Sequence, residues 1–311
     1  MAALRWLAMA ALLACAASAL EPPKNIRRLT AWSTASLAQA TVKMDGKPAR
    51  IVRAKSPKDE LLVLVVLDVT GDLTLVDAAR QAACAEIEKL PASTWVGVLR
   101  SQDGLRVTVD PAADRAAVTS AIQAAPVTGR AGLLETIEPA AQLASRILKK
   151  TGVRVAVLYL TDSNITNYRE DYTNPVINPS DTSDLSRRFP DALVREKTAK
   201  LAETLAETDA PVFITHLVFL RDRLNEAYQT GLQQMAEATG GQAVFCRTLG
   251  DVAPAVEQAF ARMASMWAVD VEVPAGAGRN VSVELKVEGA DVQSRVRLVQ
   301  GRRKGVPSEV K

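Results

Sequence analysis

From Glu60 onward, apolar runs of strand length alternate with stretches in which apolar residues recur every three or four positions. Leu61 to Leu67 is aliphatic throughout, the pattern of a strand buried on both faces. Val76, Ala79, Ala83, Ile87 and Leu90 then mark one side of a helix. Trp95 to Leu99 predicts the next strand, and Leu105 to Val109, behind Asp103-Gly104, its hairpin partner. A second long helix carries Leu133, Ile137, Ala141, Ala144 and Leu148. Val153 to Leu160 and Pro211 to Leu220 predict further buried strands, and Gln242 to Phe245 a short last one. Between them, helical spacing relates Val194, Leu201 and Leu205, then Leu224, Tyr228 and Met235, then Val252, Val256, Phe260 and Met263. The alternation predicts an α/β fold, a doubly wound Rossmann-like and mainly parallel sheet covered on both faces.

The flanks follow a different period. Thr41 to Arg53 predicts a hairpin around Asp45-Gly46. Beyond Trp267, the valines and leucines at 269, 271, 273, 281, 283, 285, 287, 292, 296 and 298 favour alternate positions, as in half-buried strands. Neither flank is large enough to fold alone, so the two are expected to pack as one small β module built from both chain ends. The first residues differ again. Arg5 precedes an apolar stretch from Trp6 to Ala17, and Ala17-Ser18-Ala19 fits small-x-small cleavage, which is a secretory signal layout. Leu12-Leu13-Ala14-Cys15 also fits a lipobox, leaving a lipid anchor at Cys15 as the alternative. The expected division is a signal peptide at 1–19, an N-terminal β segment at 20–57, the α/β domain at 58–266, a C-terminal β segment at 267–303 and a tail at 304–311. Export to the periplasm or the extracellular space follows, with no transmembrane segment.

Composition removes several function classes. Lys+Arg 38 against Asp+Glu 35 gives a net charge of +3, too small and dispersed for a nucleic-acid partner. With 1 histidine and 3 cysteines, no Cys/His zinc cluster can form, and a histidine triad would have to use His216. His216 lies within an apolar run, which suits a buried, hydrogen-bonded ring better than a catalytic one. Cys84 and Cys246 read as small packed hydrophobes. Candidate chemistry therefore falls to carboxylates and hydroxyls beyond the carboxyl ends of the strands, where ligands bind in doubly wound sheets. The first buried strand runs into Asp68-Val69-Thr70-Gly71-Asp72, and Val153 to Leu160 runs into Thr161-Asp162-Ser163. Asp68, Thr70, Asp72 and Asp162 could converge on Mg²⁺ or another divalent cation, which prefers oxygen ligands. Thr70 and Asp72 also fit as caps of the following helix. Asp68 needs a partner, because an aspartate ending an aliphatic strand is costly alone.

This arrangement resembles a von Willebrand factor type A (VWFA) domain, whose metal-ion-dependent adhesion site opens with Asp-x-Ser-x-Ser and adds a Thr and an Asp from later loops. Asp68 matches the first Asp, Thr70 the first hydroxyl and Asp162 the last Asp. The wider chain is similar to the VWFA-related proteins of acidobacteria in its Asp45 to Val52 stretch (DGKPARIV), its Ala236 to Gly241 turn (AEATGG) and its β tail. The resemblance implies a von Willebrand A type fold and a degenerate adhesion site. Asp72 stands in place of the second Ser, and Ala131 in place of the Thr ligand. Three carboxylates facing one dication would leave that site net negative, a poorer electrophile for an acidic partner residue.

After Asp162 a polar stretch runs past Tyr168, Arg169 and Tyr172 to Ser186. Long loops of this kind are often functional, and these three residue types are enriched at binding hot spots, so they are the candidate partner-binding residues. The sequence thus supports first an exported, non-enzymatic binding or adhesion module for an unidentified protein or matrix component, with or without a weakly bound divalent ion. One alternative is a phosphotransferase: Asp68 to Thr74 (DVTGDLT) resembles the loop of phosphorylated-aspartate enzymes, with Asp68 as nucleophile. Against it, Val69 replaces the lysine of that loop and its second acidic element is missing. The other alternative is a metal-free structural protein of the envelope.

Overall fold

The computed structural model describes residues 25–112, 114–168 and 191–301. The expected signal peptide, Cys15, Arg169, Tyr172 and the tail at 304–311 lie outside the described residues. Strands β1 (Ile26–Ser33), β2 (Thr41–Met44) and β3 (Lys47–Lys55) come first. The α/β domain follows with β4 (Leu61–Asp68), α1 (Leu73–Lys89), β5 (Thr94–Arg100), β6 (Arg106–Ala112), α2 (Arg115–Ala124), α3 (Leu133–Thr151) and β7 (Arg154–Thr161). It continues with α4 (Asp191–Leu205), β8 (Val212–His216), α5 (Arg223–Thr239), β9 (Ala243–Phe245) and α6 (Val252–Ser265). The chain ends on β10 (Trp267–Glu272), β11 (Asn280–Lys286), β12 (Val292–Ser294) and β13 (Arg297–Val299).

One sheet has the order β6-β5-β4-β7-β8-β9, parallel except for the antiparallel edge strand β6. β4 lies beside both β5 and β7, so the chain reverses its winding direction at β4. Alternate residues of β4 serve the two faces. Leu62, Leu64 and Val66 pack with α3, α4 and α5, whereas Leu61, Val63, Val65 and Leu67 pack with α1, α2 and α6. Two local outcomes depart from the sequence pattern. The predicted strand over Pro211–Leu220 stops at His216, because the Val218 N–H turns back to His216 Nδ1 and the adjacent β9 is short. Helix α2, capped by Asp114 and buried through Val118 and Ile122, was not expected, because two large apolar residues among alanines give a weak signal.

The second sheet has the order β12-β1-β10-β3-β2-β11-β13 and unites both ends of the chain. Its two edges, β12 and β13, are separated in sequence only by Arg295-Val296, so the sheet curls into a half-barrel around Leu29, Met44, Val269, Val271, Val281 and Leu298. The Asp45-Gly46 turn carries positive φ at both residues, as a two-residue hairpin requires.

Arginines join this sheet to the end of the α/β domain where helices finish. Last-turn carbonyls have no acceptor role within their own helix, and each arginine supplies donors to them. Arg28 donates to the carbonyls of Gly152 and Val153, after α3, and pairs with Asp270 at 2.6 Å. Arg295 donates to the carbonyls of Ala206 and Thr208, after α4, and Arg27 to that of Glu207 and to Asp209. Arg154 donates to the carbonyls of Ala264 and Met266 at the end of α6, and to those of Pro57 and Asp59. Burial pushes the Arg295 pKa down to about 9, with Arg27 adding to the effect and Asp209 opposing it.

Candidate functional site

The opposite end of the parallel sheet, where the strands finish and most helices begin, presents backbone N–H groups instead. Asp68 stands at the centre as the last residue of β4, in register with Thr161 of β7, at the switch point where doubly wound sheets bind ligands. It is fully buried. Oδ1 accepts from Ser101 Oγ at 2.5 Å and from the Gly132 N–H at 2.8 Å, and Oδ2 from Thr161 Oγ1 at 2.9 Å. Only glycine permits the second bond, since a Cβ at position 132 would lie 2.0 Å from the Ser101 carbonyl oxygen. The partner that the sequence demands for Asp68 is therefore a set of neutral donors.

Asp162 turns its carboxylate into the loop after β4. Oδ1 accepts from the Thr70 N–H at 2.7 Å and from Thr70 Oγ1 at 3.3 Å, and Oδ2 from the Gly71 N–H at 2.7 Å. Burial, with the Asp68 carboxylate adding to it, displaces its pKa upward against the pull of those bonds. Asp72 is the N-cap of α1 and accepts from the N–H groups of Thr74 and Leu75. Ala131, where the resemblance calls for a hydroxyl, is a buried methyl.

These residues do not fit a divalent cation. The backbone N–H groups of Gly132, Thr70 and Gly71 occupy lone pairs of Asp68 and Asp162 that a cation would need, Asp72 is committed to its helix, and position 131 offers no oxygen. Among the described residues, no group of three or more His, Cys, Asp or Glu side chains is placed to hold a metal ion. Asp68 is equally enclosed as a nucleophile.

Below Asp68 the polar groups continue inward. Thr161 Oγ1 and Ser163 Oγ are 2.8 Å apart, and Ser163 Oγ is 3.1 Å from the Tyr228 hydroxyl. Tyr168, expected to meet a partner, is instead fully buried: its hydroxyl donates to Ser163 Oγ and its ring packs on Tyr228 with centroids 6.0 Å apart. The apolar ring outweighs its reputation as a contact residue. His216 is the buried, bonded histidine that the sequence suggests. Its Nε2–H donates to the Ser163 carbonyl at 2.6 Å, and burial brings its pKa down to about 4, with bonds from Ser163 and Val218 opposing. Cys84 and Cys246 are buried free thiols, and burial pushes Cys246 up to about 11.

The sequence does not reveal that every aspartate named on this end serves backbone amides. Asp222 caps α5 through the Asn225 N–H, and Asp251 accepts from the N–H groups of Arg247 and Thr248. Nor does it reveal that Leu73 and Leu249, 60% and 48% exposed, break the surface there. The one available signal was position, because Leu73 follows Asp72 directly and Leu249 lies two residues before Asp251.

No protein-family model matches the chain, and no curated protein matches it. Among solved structures, the chain is similar to a von Willebrand factor type A from Catenulispora acidiphila, at 12% identity and a TM-score of 0.47 over 91% of this chain and 76% of that one. It is similar to the PilB minor pilin from Streptococcus sanguinis, at 11% identity and 0.46 over 66% and 60%. It is similar also to the vWF domain of the type V pili tip protein Mfa5 from Porphyromonas gingivalis, at 11% and 0.44 over 65% and 94%.

Proposed function

We propose that the chain is an exported, non-enzymatic protein-binding module that docks its partner on the strand-end face of the α/β domain and does so without a bound cation. The observation that carries this reading is which end of the parallel sheet is left uncovered among the described residues. The far end of the sheet is covered by the half-barrel and its flanks by helices, whereas the strand-end face keeps Leu73 and Leu249 in solvent over a buried apolar layer. Exposed leucines above a packed layer suit a partner surface. Enclosure of Asp68 and use of both His216 nitrogens in backbone bonds speak for a non-catalytic role. The apolar stretch from Trp6 to Ala17 supports export. Among the described residues, no helix is long and apolar enough to cross a membrane.

The test compares proteins captured by the wild-type chain, by Thr128→Trp and Thr166→Trp, two exposed positions of the strand-end face in the loop before α3 and the 3-10 turn after β7, and by Val52→Asp on the half-barrel. Capture that is lost only in the first two variants, and that survives chelator, is the expected result. Loss on chelation would overturn cation independence, and capture indifferent to Thr128 and Thr166 would overturn the choice of face.

A further inference from the structure

We infer that the cleft between the second half of α3 and the turn after α4 binds a free amino acid, whose carboxylate meets Ser145, Arg146 and Lys149 and whose ammonium group meets Glu207. The cleft lies where these helices finish, away from the strand-end face, and its volume of about 330 Å³ is that of a small-molecule site. One wall is a single stripe of α3. Glu138, Gln142, Ser145 and Lys149 recur at spacings of three and four, with Arg146 beside them, so these side chains share one side of the helix. The other wall is the end of α4 and the turn that carries Glu207.

Ser145 is the group that calls for a ligand. It is 7% exposed, and its Oγ accepts from the N–H groups of Asp209 and Ala210 at 3.1 and 3.3 Å. A hydroxyl within a helix commonly gives its own hydrogen to the carbonyl one turn back, as Thr136 and Thr151 do in α3. Ser145 does not, and among the described residues no acceptor takes that hydrogen. A buried donor left open in the lining of a cleft is stabilised by an incoming oxygen.

The charges decide what carries that oxygen. Arg146 is exposed and has no ion pair among the described residues. Lys149 stands 3.5 Å from Asp209, whose charge Arg27 already meets at 2.6 Å. Glu207 shares its carboxylate with Arg279 at 3.3 Å, and Glu138 accepts from the Gln142 amide at 2.8 Å. The walls thus carry two cations and two carboxylates, a balance that suits a zwitterion better than a bare anion or a bare cation. The ligand's carboxylate takes the Ser145 hydrogen together with charge-assisted bonds from Arg146 and Lys149, and its ammonium group turns across the cleft to Glu207. A side chain directed towards the start of α3 meets Glu138 and Gln142, so one that ends in a hydrogen-bond donor, as in lysine or glutamine, fits the remaining space.

The test is calorimetric titration of the full chain with L-glutamine and with L-lysine, beside acetate and ethylamine, each of which carries half of the zwitterion. The expected result is saturable binding of at least one amino acid, weakened about tenfold or more in Arg146→Ala and in Glu207→Gln, with no saturation by either half. Arg146 is exposed and Glu207 half-buried, and circular dichroism and melting of both variants check that the fold is kept. Thr128→Trp, on the strand-end face, should bind the amino acid as the wild type does. Absence of saturation by both amino acids, binding of acetate as tight as theirs, or indifference to both substitutions in the cleft would overturn the inference. Loss of binding in Thr128→Trp would move the ligand to the other end of the sheet and overturn it as well.

Discussion

The two ends of the parallel sheet answer opposite backbone groups with opposite side-chain charges, the buried Asp209 and Asp270 at the arginine end being there as the arginines' own partners. Where strands finish and α1, α3, α5 and α6 begin, the unsatisfied backbone groups are N–H, and aspartates gather there. Where α3, α4 and α6 end, the unsatisfied groups are carbonyls, and Arg27, Arg28, Arg154 and Arg295 gather. Placement of buried charge in this protein therefore follows the direction of the helices, and a cluster of aspartates at a strand end is no proof of a cation between them. The ends differ in what lies above. A second sheet seals the arginines, so that end serves cohesion; nothing among the described residues seals Leu73 and Leu249.

The contrast can be broken most forcefully at the sealed end. Arg28→Ala leaves the buried Asp270 with only the half-exposed Arg53 and strands the Gly152 and Val153 carbonyls, so it should cost about 3–5 kcal/mol in urea unfolding. A loss below about 1 kcal/mol would mean that the joint contributes little.

At the open end the largest effect is one of pH. The folded chain keeps His216 neutral down to about 4, whereas the unfolded chain protonates it below its ordinary 6.5. Stability is complete above that upper value, falls as the pH drops through the window, and levels off below it, a loss on the order of 3 kcal/mol. Calorimetric melting from neutral to acid pH should show that slope in the wild type and a shallower one in His216→Gln.

A smaller effect is expected from Asp68→Asn, which replaces one accepting oxygen by an amide N–H₂, facing either Thr161 Oγ1 or the Ser101 and Gly132 donors, and should cost about 2 kcal/mol. Millimolar Mg²⁺ should leave the wild-type melting temperature unchanged, and a rise that Asp68→Asn abolishes would restore the cation. Smallest is Asp72→Ala, an exposed cap whose loss should cost about 1 kcal/mol by the same measurement.

Much of the fold was legible because burial on both faces writes itself as unbroken aliphatic runs, as in Leu61 to Leu67 and Val155 to Leu160. The pairing of both chain ends in one sheet was legible from alternation at Val281, Val283 and Leu285. The same rules misread what followed His216, since Leu217 is buried in a loop and extends the apolar run past the strand. The site was legible in position and not in state. Asp68, Thr70 and Asp162 do meet, but the N–H groups that occupy them belong to the backbone, which no side-chain pattern reports. Arg27 and Arg28 escaped notice because arginines are ordinarily solvated and their acceptors are carbonyls far away in sequence.

Arg28 and Asp270 are 242 positions apart, and β1 pairs with β10 along most of its length. A ribosome releases β1, β2 and β3 long before their partners β10 and β11 exist. The six-stranded sheet between them contains all of its own strands and can close first, while the early strands wait as unpaired edges that invite misassociation. The half-barrel is thus the last part of the molecule to be completed, and a nascent chain halted before residue 267 would carry a finished α/β domain trailing a sticky leader.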